Sequence, residues 1–130
     1  SPLRDAGQLR LLGRLRAELG RPWLWRSEAP IGGVGDLRAW DMQLDGPASI
    51  GVDAETRLHD IQELQRRVGA KWRDSGVDRV VLLVAKTRHN QLVLRDQRDV
   101  LSPLFPADTR ELLSALRAGR TPARSGIVVL

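Results

Sequence analysis

The chain has 130 residues, no cysteine, and a formal net charge of +5 from 21 Lys and Arg against 16 Asp and Glu. A chain of this length suits one domain with its own core, so we expect residues 1–130 to form a single domain. The lack of cysteine excludes disulfides and thiolate zinc sites. Because no apolar run approaches the ~20 residues of a membrane-spanning helix, we expect a cytoplasmic protein without a membrane partner.

The first half of the sequence predicts a helix followed by three strands. Leucines at positions 9, 12, 15 and 19 recur at helical spacing, and Gly20 marks the predicted end of that helix. The segment "WLWRSEAPI" alternates and is rich in tryptophan, which favours a strand. The segments "DLRAWDMQL" and "SIGVDAET" are joined by the turn residues "DGPAS", and this pattern predicts a β-hairpin.

The second half predicts a helix, a buried strand and further helices before a last strand. Apolar residues at positions 61, 64, 68 and 72 form a helical face that ends at Gly76. The run "RVVLLVA" is typical of a strand buried on both faces, and therefore of a central or parallel strand. A short helix is expected after Asn90 and another after the capping residue Asp108. The segment "GIVVL" predicts the last strand.

The order of these elements predicts an α/β domain. The predicted order is α-β-β-β-α-β-α-β, with a mixed sheet packed between helices. The segment "TRHNQLVLR" follows the buried strand. It either lines a pocket at the C-terminal end of that strand, where open α/β sheets bind ligands, or forms an ordinary loop, which we favour.

The acidic residues concentrate on the predicted hairpin although the chain is basic. Residues 36–60 carry six acids against two arginines, whereas residues 1–26 carry six arginines against two acids. Alternation places Asp53, Glu55 and Arg57 on one face of a strand, and Asp41 lies across the hairpin from them. Three carboxylates in reach of one point suit Mg²⁺, which activates water and neutralises phosphate charge. The alternatives are the remains of such a site or a solvated sheet face.

These elements and acids resemble the PD-(D/E)XK, or restriction-endonuclease-like, fold over about residues 8–86. Trp40-Asp41 stands where that family has Pro-Asp, and Asp53-Ala54-Glu55 stands where it has (D/E)-x-K. The resemblance implies a restriction-endonuclease-like sheet and Asp41, Asp53 and Glu55 as Mg²⁺ ligands. It also implies a lysine that positions or activates the attacking water.

The catalytic motif departs from the family pattern at the lysine. Glu55 occupies that position, and the shifted reading Glu55-Thr56-Arg57 places an arginine there, which remains protonated and cannot act as a base. Lys71 on the following helix is a candidate for a migrated ammonium, but we expect it to lie far from the hairpin. Gln62, near the start of that helix, is the better-placed polar neighbour.

A second resemblance covers most of the chain. The segments "DLRAWD", "AETRL.D.Q.L.RR", "DSGVDRVVLLVA.TRHN" and "SGIVVL" look like the C-terminal region of actinobacterial helix-turn-helix regulators of the Xre type. The resemblance implies a transcriptional regulator in which a separate N-terminal domain binds DNA. Because the chain begins Ser-Pro, we expect it to be a C-terminal fragment of a longer protein.

Three functions follow as hypotheses. The leading one is a non-catalytic regulatory, ligand-sensing or oligomerisation domain of a transcriptional regulator, with DNA bound through the N-terminal domain and a small-molecule or protein effector or a second copy as partner. It needs no cofactor. The first alternative is a Mg²⁺-dependent nuclease with Asp41, Asp53 and Glu55 as ligands, served by Arg57, Gln62 or Lys71. The second is a protein-interaction module.

Overall fold

The computed structural model describes residues 5–130, which form five helices and five strands. The helices are α1 (Ala6–Glu18), α2 (Ile61–Ser75), α3 (Arg88–Asp96), α4 (Arg98–Leu101) and α5 (Thr109–Arg117). The strands are β1 (Leu24–Pro30), β2 (Ala39–Asp45), β3 (Ser49–Glu55), β4 (Arg79–Val84) and β5 (Gly126–Val129). None of the helices in this part of the chain is long and apolar enough to cross a membrane.

The five strands form one mixed sheet in the order β1-β2-β3-β4-β5. Strands β1, β2 and β3 are antiparallel neighbours, with Met42 opposite Val52 in the β2–β3 pair. Strands β3, β4 and β5 are parallel, and Asp53 on β3 lies beside Leu82 on β4. The carboxyl ends of β3, β4 and β5 therefore meet at one edge of the sheet.

Helices cover both faces of the sheet and create two hydrophobic clusters. Helices α1 and α5 pack on one face through Leu12, Leu15 and Leu112. Helix α2, together with the α3–α4 segment, packs on the other face through Leu64 and Val68. The side chains of β4 point alternately into the two clusters. All residues of β4 except the first are buried, because the strand lies between two parallel neighbours and two helical layers.

The predicted fold class is confirmed as a mixed α/β sheet flanked by helices, and the central parallel strand is where the sequence predicted it. Three helices lie between β4 and β5, where the predicted order has one and the local patterns predicted a short helix after Asn90 and another after Asp108. The segment "TRHNQLVLR" is mostly helix α3, so its interpretation as a loop is wrong: Thr87 caps the helix by accepting the N–H of Asn90. In α1, Leu11 is buried while Leu9 is exposed, so the predicted apolar face is rotated.

Candidate functional site

The β2–β3 hairpin changes its mode of pairing at the acidic residues. The backbone register runs from Asp45 opposite Ser49 to Met42 opposite Val52. Beyond that pair, carboxylates accept backbone hydrogen bonds across the two strands. The N–H of Asp41 donates to Oδ1 of Asp53 at 3.2 Å, and the N–H of Ala54 donates to Oδ2 of Asp41 at 2.8 Å. The two aspartates thus satisfy backbone donors that would otherwise lack a partner.

Packing explains why the strands separate at this point. Met42 and Leu44 belong to the cluster beneath α1 and α5, whereas Trp40 belongs to the cluster beneath α2. Strand β2 therefore crosses from one core layer to the other at Asp41. The Trp40 ring lies directly over Gly51, where an added Cβ would come within 2.3 Å of it. Only glycine at position 51 leaves room for this ring.

Lys71 of α2 reaches the hairpin, so the expectation that it lies far away is wrong. Its Nζ donates to Oδ2 of Asp53 at 2.5 Å and to the carbonyl of Ala39 at 2.8 Å. The same Nζ lies 4.9 Å from the centre of the Trp40 ring. Lys71 is 7% exposed and Asp53 is 4% exposed, so the ion pair is buried and Asp53 does not belong to a solvated face.

The length of the lysine side chain accounts for this contact. Lys71 lies about one turn before the end of α2, and it occupies the buried face of the helix with Leu64 and Val68. The sequence pattern assigned this face to Trp72, which is only partly buried and donates through Nε1 to the carbonyl of Val77. A buried lysine requires a counter-charge, and Asp53 is the acid that the sheet presents to it.

Glu55 forms a second ion pair, with a residue that the sequence analysis did not single out. Arg67 of α2 donates to Oε1 of Glu55 at 2.7 Å and also to Glu63 at 2.8 Å. Burial raises the pKa of the Glu55 carboxyl above its usual value, and the charges of Asp53 and Asp41 raise it further, while Arg67 opposes the shift. The three predicted acids are thus close enough to affect one another electrostatically.

The other two predicted residues, Arg57 and Gln62, are exposed at the surface of the molecule. Strand β3 ends at Glu55, and Arg57 is exposed in the bend that follows, so it does not share the strand face with Asp53. Gln62 is exposed on α2 and lines a shallow cavity with His59 and His89, which corrects its expected position beside the hairpin. Gln8 of α1 contacts the strand that carries Asp53 and Glu55, since its Nε2 donates to the carbonyl of Ala54 at 3.1 Å.

A buried asparagine holds the loops next to the acids. Oδ1 of Asn90 accepts the N–H of Leu58 at 2.8 Å, and its Nδ2 donates to the carbonyls of Thr56 and Ala85 at 3.0 and 2.9 Å. Asn90 is fully buried. It therefore ties the loop after β3 to the loop after β4. No motif in the sequence distinguishes this residue, because its role depends on long-range contacts.

These contacts define what the acids can do chemically. Asp41 and Asp53 serve as acceptors for backbone N–H groups, and Lys71 and Arg67 neutralise Asp53 and Glu55. Within residues 5–130, no group of three or more His, Cys, Asp or Glu side chains is arranged to hold a metal ion. The carboxylates thus act in this structure as an internal network that fixes the hairpin against α2.

Comparison with known proteins does not extend this description. No protein-family model, no curated protein and no solved structure matches the chain.

Proposed function

We propose that the chain is a non-catalytic regulatory domain of a transcriptional regulator, which senses a ligand or oligomerises while a separate N-terminal domain binds DNA. The observation that carries the non-catalytic part is the buried Lys71–Asp53 ion pair. A nuclease lysine has to reach a water beside the metal. The Lys71 ammonium instead donates to Asp53 and to the Ala39 carbonyl inside the core.

The acids support the same conclusion. A Mg²⁺ ion prefers carboxylates that can replace part of its water shell at close to octahedral geometry. Here, Oδ1 of Asp53 accepts the N–H of Asp41, Oδ2 of Asp53 accepts from Lys71, and Oδ2 of Asp41 accepts the N–H of Ala54. A metal at these atoms would compete with the hydrogen bonds that join β2 to β3 beyond the Met42–Val52 pair.

The topology supports the resemblance to the restriction-endonuclease-like fold. Helix α1, the β1–β2–β3 meander, α2 and the apolar β4 follow one another as that resemblance requires. The acids occupy adjacent strands of the meander. Since a fold alone does not define an activity, we interpret the fold as a scaffold whose acidic positions now hold the hairpin together.

The resemblance to Xre-type regulators supports the regulatory role and the proposal that a separate N-terminal domain binds DNA. It spans segments from β2 to β5, which lie in all parts of the sheet except β1. Sequencing the gene upstream of Ser1 tests this part directly. A helix-turn-helix domain in the same reading frame is the expected result, and a different upstream domain would contradict the proposal.

The non-catalytic part is tested by cleavage. The purified chain is incubated with supercoiled plasmid and with single-stranded DNA in the presence of Mg²⁺ or Mn²⁺. We expect no cleavage above that of Asp53→Asn, which removes the charge and keeps an acceptor for the N–H of Asp41. Cleavage by the wild type that is lost in Asp53→Asn would contradict the proposal.

One observation favours a second candidate, a Mg²⁺-dependent nuclease. The ammonium of Lys71 does lie beside Asp53, as a migrated catalytic lysine would. For this candidate, Lys71→Met would abolish cleavage while Lys86→Met, the matched change at the exposed second lysine, would leave it intact.

A further inference from the structure

A groove lies between the last strand and the α3–α4 segment, on the face of the sheet that α2 covers elsewhere. Its volume is about 530 Å³, which falls within the range of small-molecule sites. Helices α3 and α4 do not fully cover β5, so Ile127 and Val129 are only partly buried. These two side chains form the floor of the groove together with Leu94 and the buried Phe105.

The outer edge of β5 is closed, which excludes a peptide strand as the ligand. The N–H of Ile127 donates to the carbonyl of Ala107 at 3.0 Å, and the N–H of Val129 donates to the hydroxyl of Thr109 at 2.9 Å. The backbone donors that could pair with an added strand are therefore already used. What remains accessible is the apolar side-chain surface above the strand.

The rim of the groove is positively charged. Arg95 and Arg98 line it from the end of α3 and the start of α4. Arg95 has only a 3.9 Å contact with Asp96, and both side chains are about two-thirds exposed. Among residues 5–130, no acid lies within ion-pair distance of Arg98. Asp108 is the acid on the opposite wall, and its Oδ1 already accepts the N–H of Glu111 as the cap of α5.

An apolar floor beside two arginines defines the chemistry of the ligand. Guanidinium groups bind carboxylate and phosphate oxygens through paired N–H donors. The floor offers a surface for an alkyl chain or a ring. We propose that this groove binds a small amphipathic anion, a soluble carboxylate with an apolar body. This inference rests on the proposed regulatory function and deepens it by naming the class of effector.

The test uses decanoate, below the concentration at which it forms micelles, with the purified 130-residue chain. Binding is followed by calorimetry and by chemical-shift changes in the isotope-labelled protein. Decanol has the same alkyl group without the negative charge, and butyrate has the charge with a much shorter alkyl group. We expect saturable binding of decanoate, much weaker binding of both analogues, and the largest shifts at Phe105, Ile127 and Val129.

Two variants locate the charge effect. Arg95→Gln/Arg98→Gln removes the rim charge, and Arg14→Gln/Arg110→Gln removes the same charge from exposed positions outside the groove. We expect the first variant to weaken decanoate binding roughly tenfold or more and the second to leave it unchanged. Equal affinity in both variants, equal binding of decanol, or no binding at all would overturn the inference.

The outcome is independent of the cleavage assay. Decanoate binding in a chain that cleaves DNA would refute the non-catalytic function and keep the groove as a ligand site. Absence of both binding and cleavage would refute the groove and keep the non-catalytic function. The two failures are therefore distinguishable.

Discussion

Replacement of Lys71 by methionine should strongly destabilise the domain. Methionine keeps most of the side-chain volume against Trp40 but removes the ammonium that lies 2.5 Å from Oδ2 of Asp53. Asp53 is 4% exposed, so its carboxylate would remain buried without a counter-charge. Removal of one partner of a buried ion pair costs about 3–5 kcal/mol of the free energy of unfolding.

A double variant separates the charge effect from the loss of packing. In Asp53→Asn/Lys71→Met the buried charge is gone, and the amide oxygen can still accept the N–H of Asp41. We expect this variant to regain about 2 kcal/mol or more relative to Lys71→Met, since a neutral pair avoids the burial of an uncompensated ion. Lys86→Met should change the free energy of unfolding by less than about 0.5 kcal/mol because Lys86 is exposed.

The assay is urea denaturation at neutral pH, followed by tryptophan fluorescence. The chain has four tryptophans, and Trp40 reports directly on this part of the core. A loss of less than about 1 kcal/mol in Lys71→Met would refute the reasoning, since removal of a true buried partner costs several times that amount. A double variant no more stable than Lys71→Met would refute it as well.

Two further predictions concern the neighbours of this pair. In the folded protein the pKa of Glu55 lies above its usual value of 4.5. The wild type should therefore lose stability relative to Glu55→Gln as the pH rises above 4.5. A difference in the free energy of unfolding that stays constant between pH 4 and 7 in urea denaturation would contradict the shift. Asn90→Ala removes three hydrogen bonds of buried groups and should lower the free energy of unfolding by about 3 kcal/mol. Hydrogen exchange at the amide of Leu58 should also become faster. Gln91→Ala, a change at an exposed neighbouring position, should have neither effect.

The sequence predicted most of the fold because periodicity and turn residues are local signals. The hairpin, the helix that ends at Gly76 and the doubly buried β4 all appear where their patterns lie. Gly76 has φ +71°, which explains why a glycine ends α2. The sequence predicted a short helix after Asn90, whereas α3 begins at Arg88 and a separate α4 follows it. The start was misplaced because a polar residue, Asn90, occupies the buried side of α3 and interrupts the apolar pattern.

The candidate site was predicted in part. Alternation placed Asp53 and Glu55 on one strand face and Asp41 across the hairpin, and the mutual electrostatic effect of the three acids agrees with that placement. The partners were not predicted, because they come from another element. The contacts of Lys71 and Arg67 depend on how α2 packs over the sheet. The spacing of residues along the sequence gives no information about that packing.

A second ion pair lies two residues along β3 from the buried one. Glu55 accepts a hydrogen bond from Arg67, which joins the end of β3 to α2 a second time. Helix α2 is therefore attached to β3 by a buried pair at Asp53 and by a partly exposed pair at Glu55.

The account depends most directly on the claim that the carboxylates of Asp41 and Asp53 form an internal network rather than a metal centre. The decisive measurement is calorimetric titration of Mg²⁺ and Mn²⁺ into the wild type, with Asp41→Asn and Asp53→Asn as controls that keep an acceptor at each position. We predict no saturable heat at millimolar metal in any of the three proteins. Saturable binding by the wild type that disappears in both variants would contradict the account and establish a metal site at the hairpin.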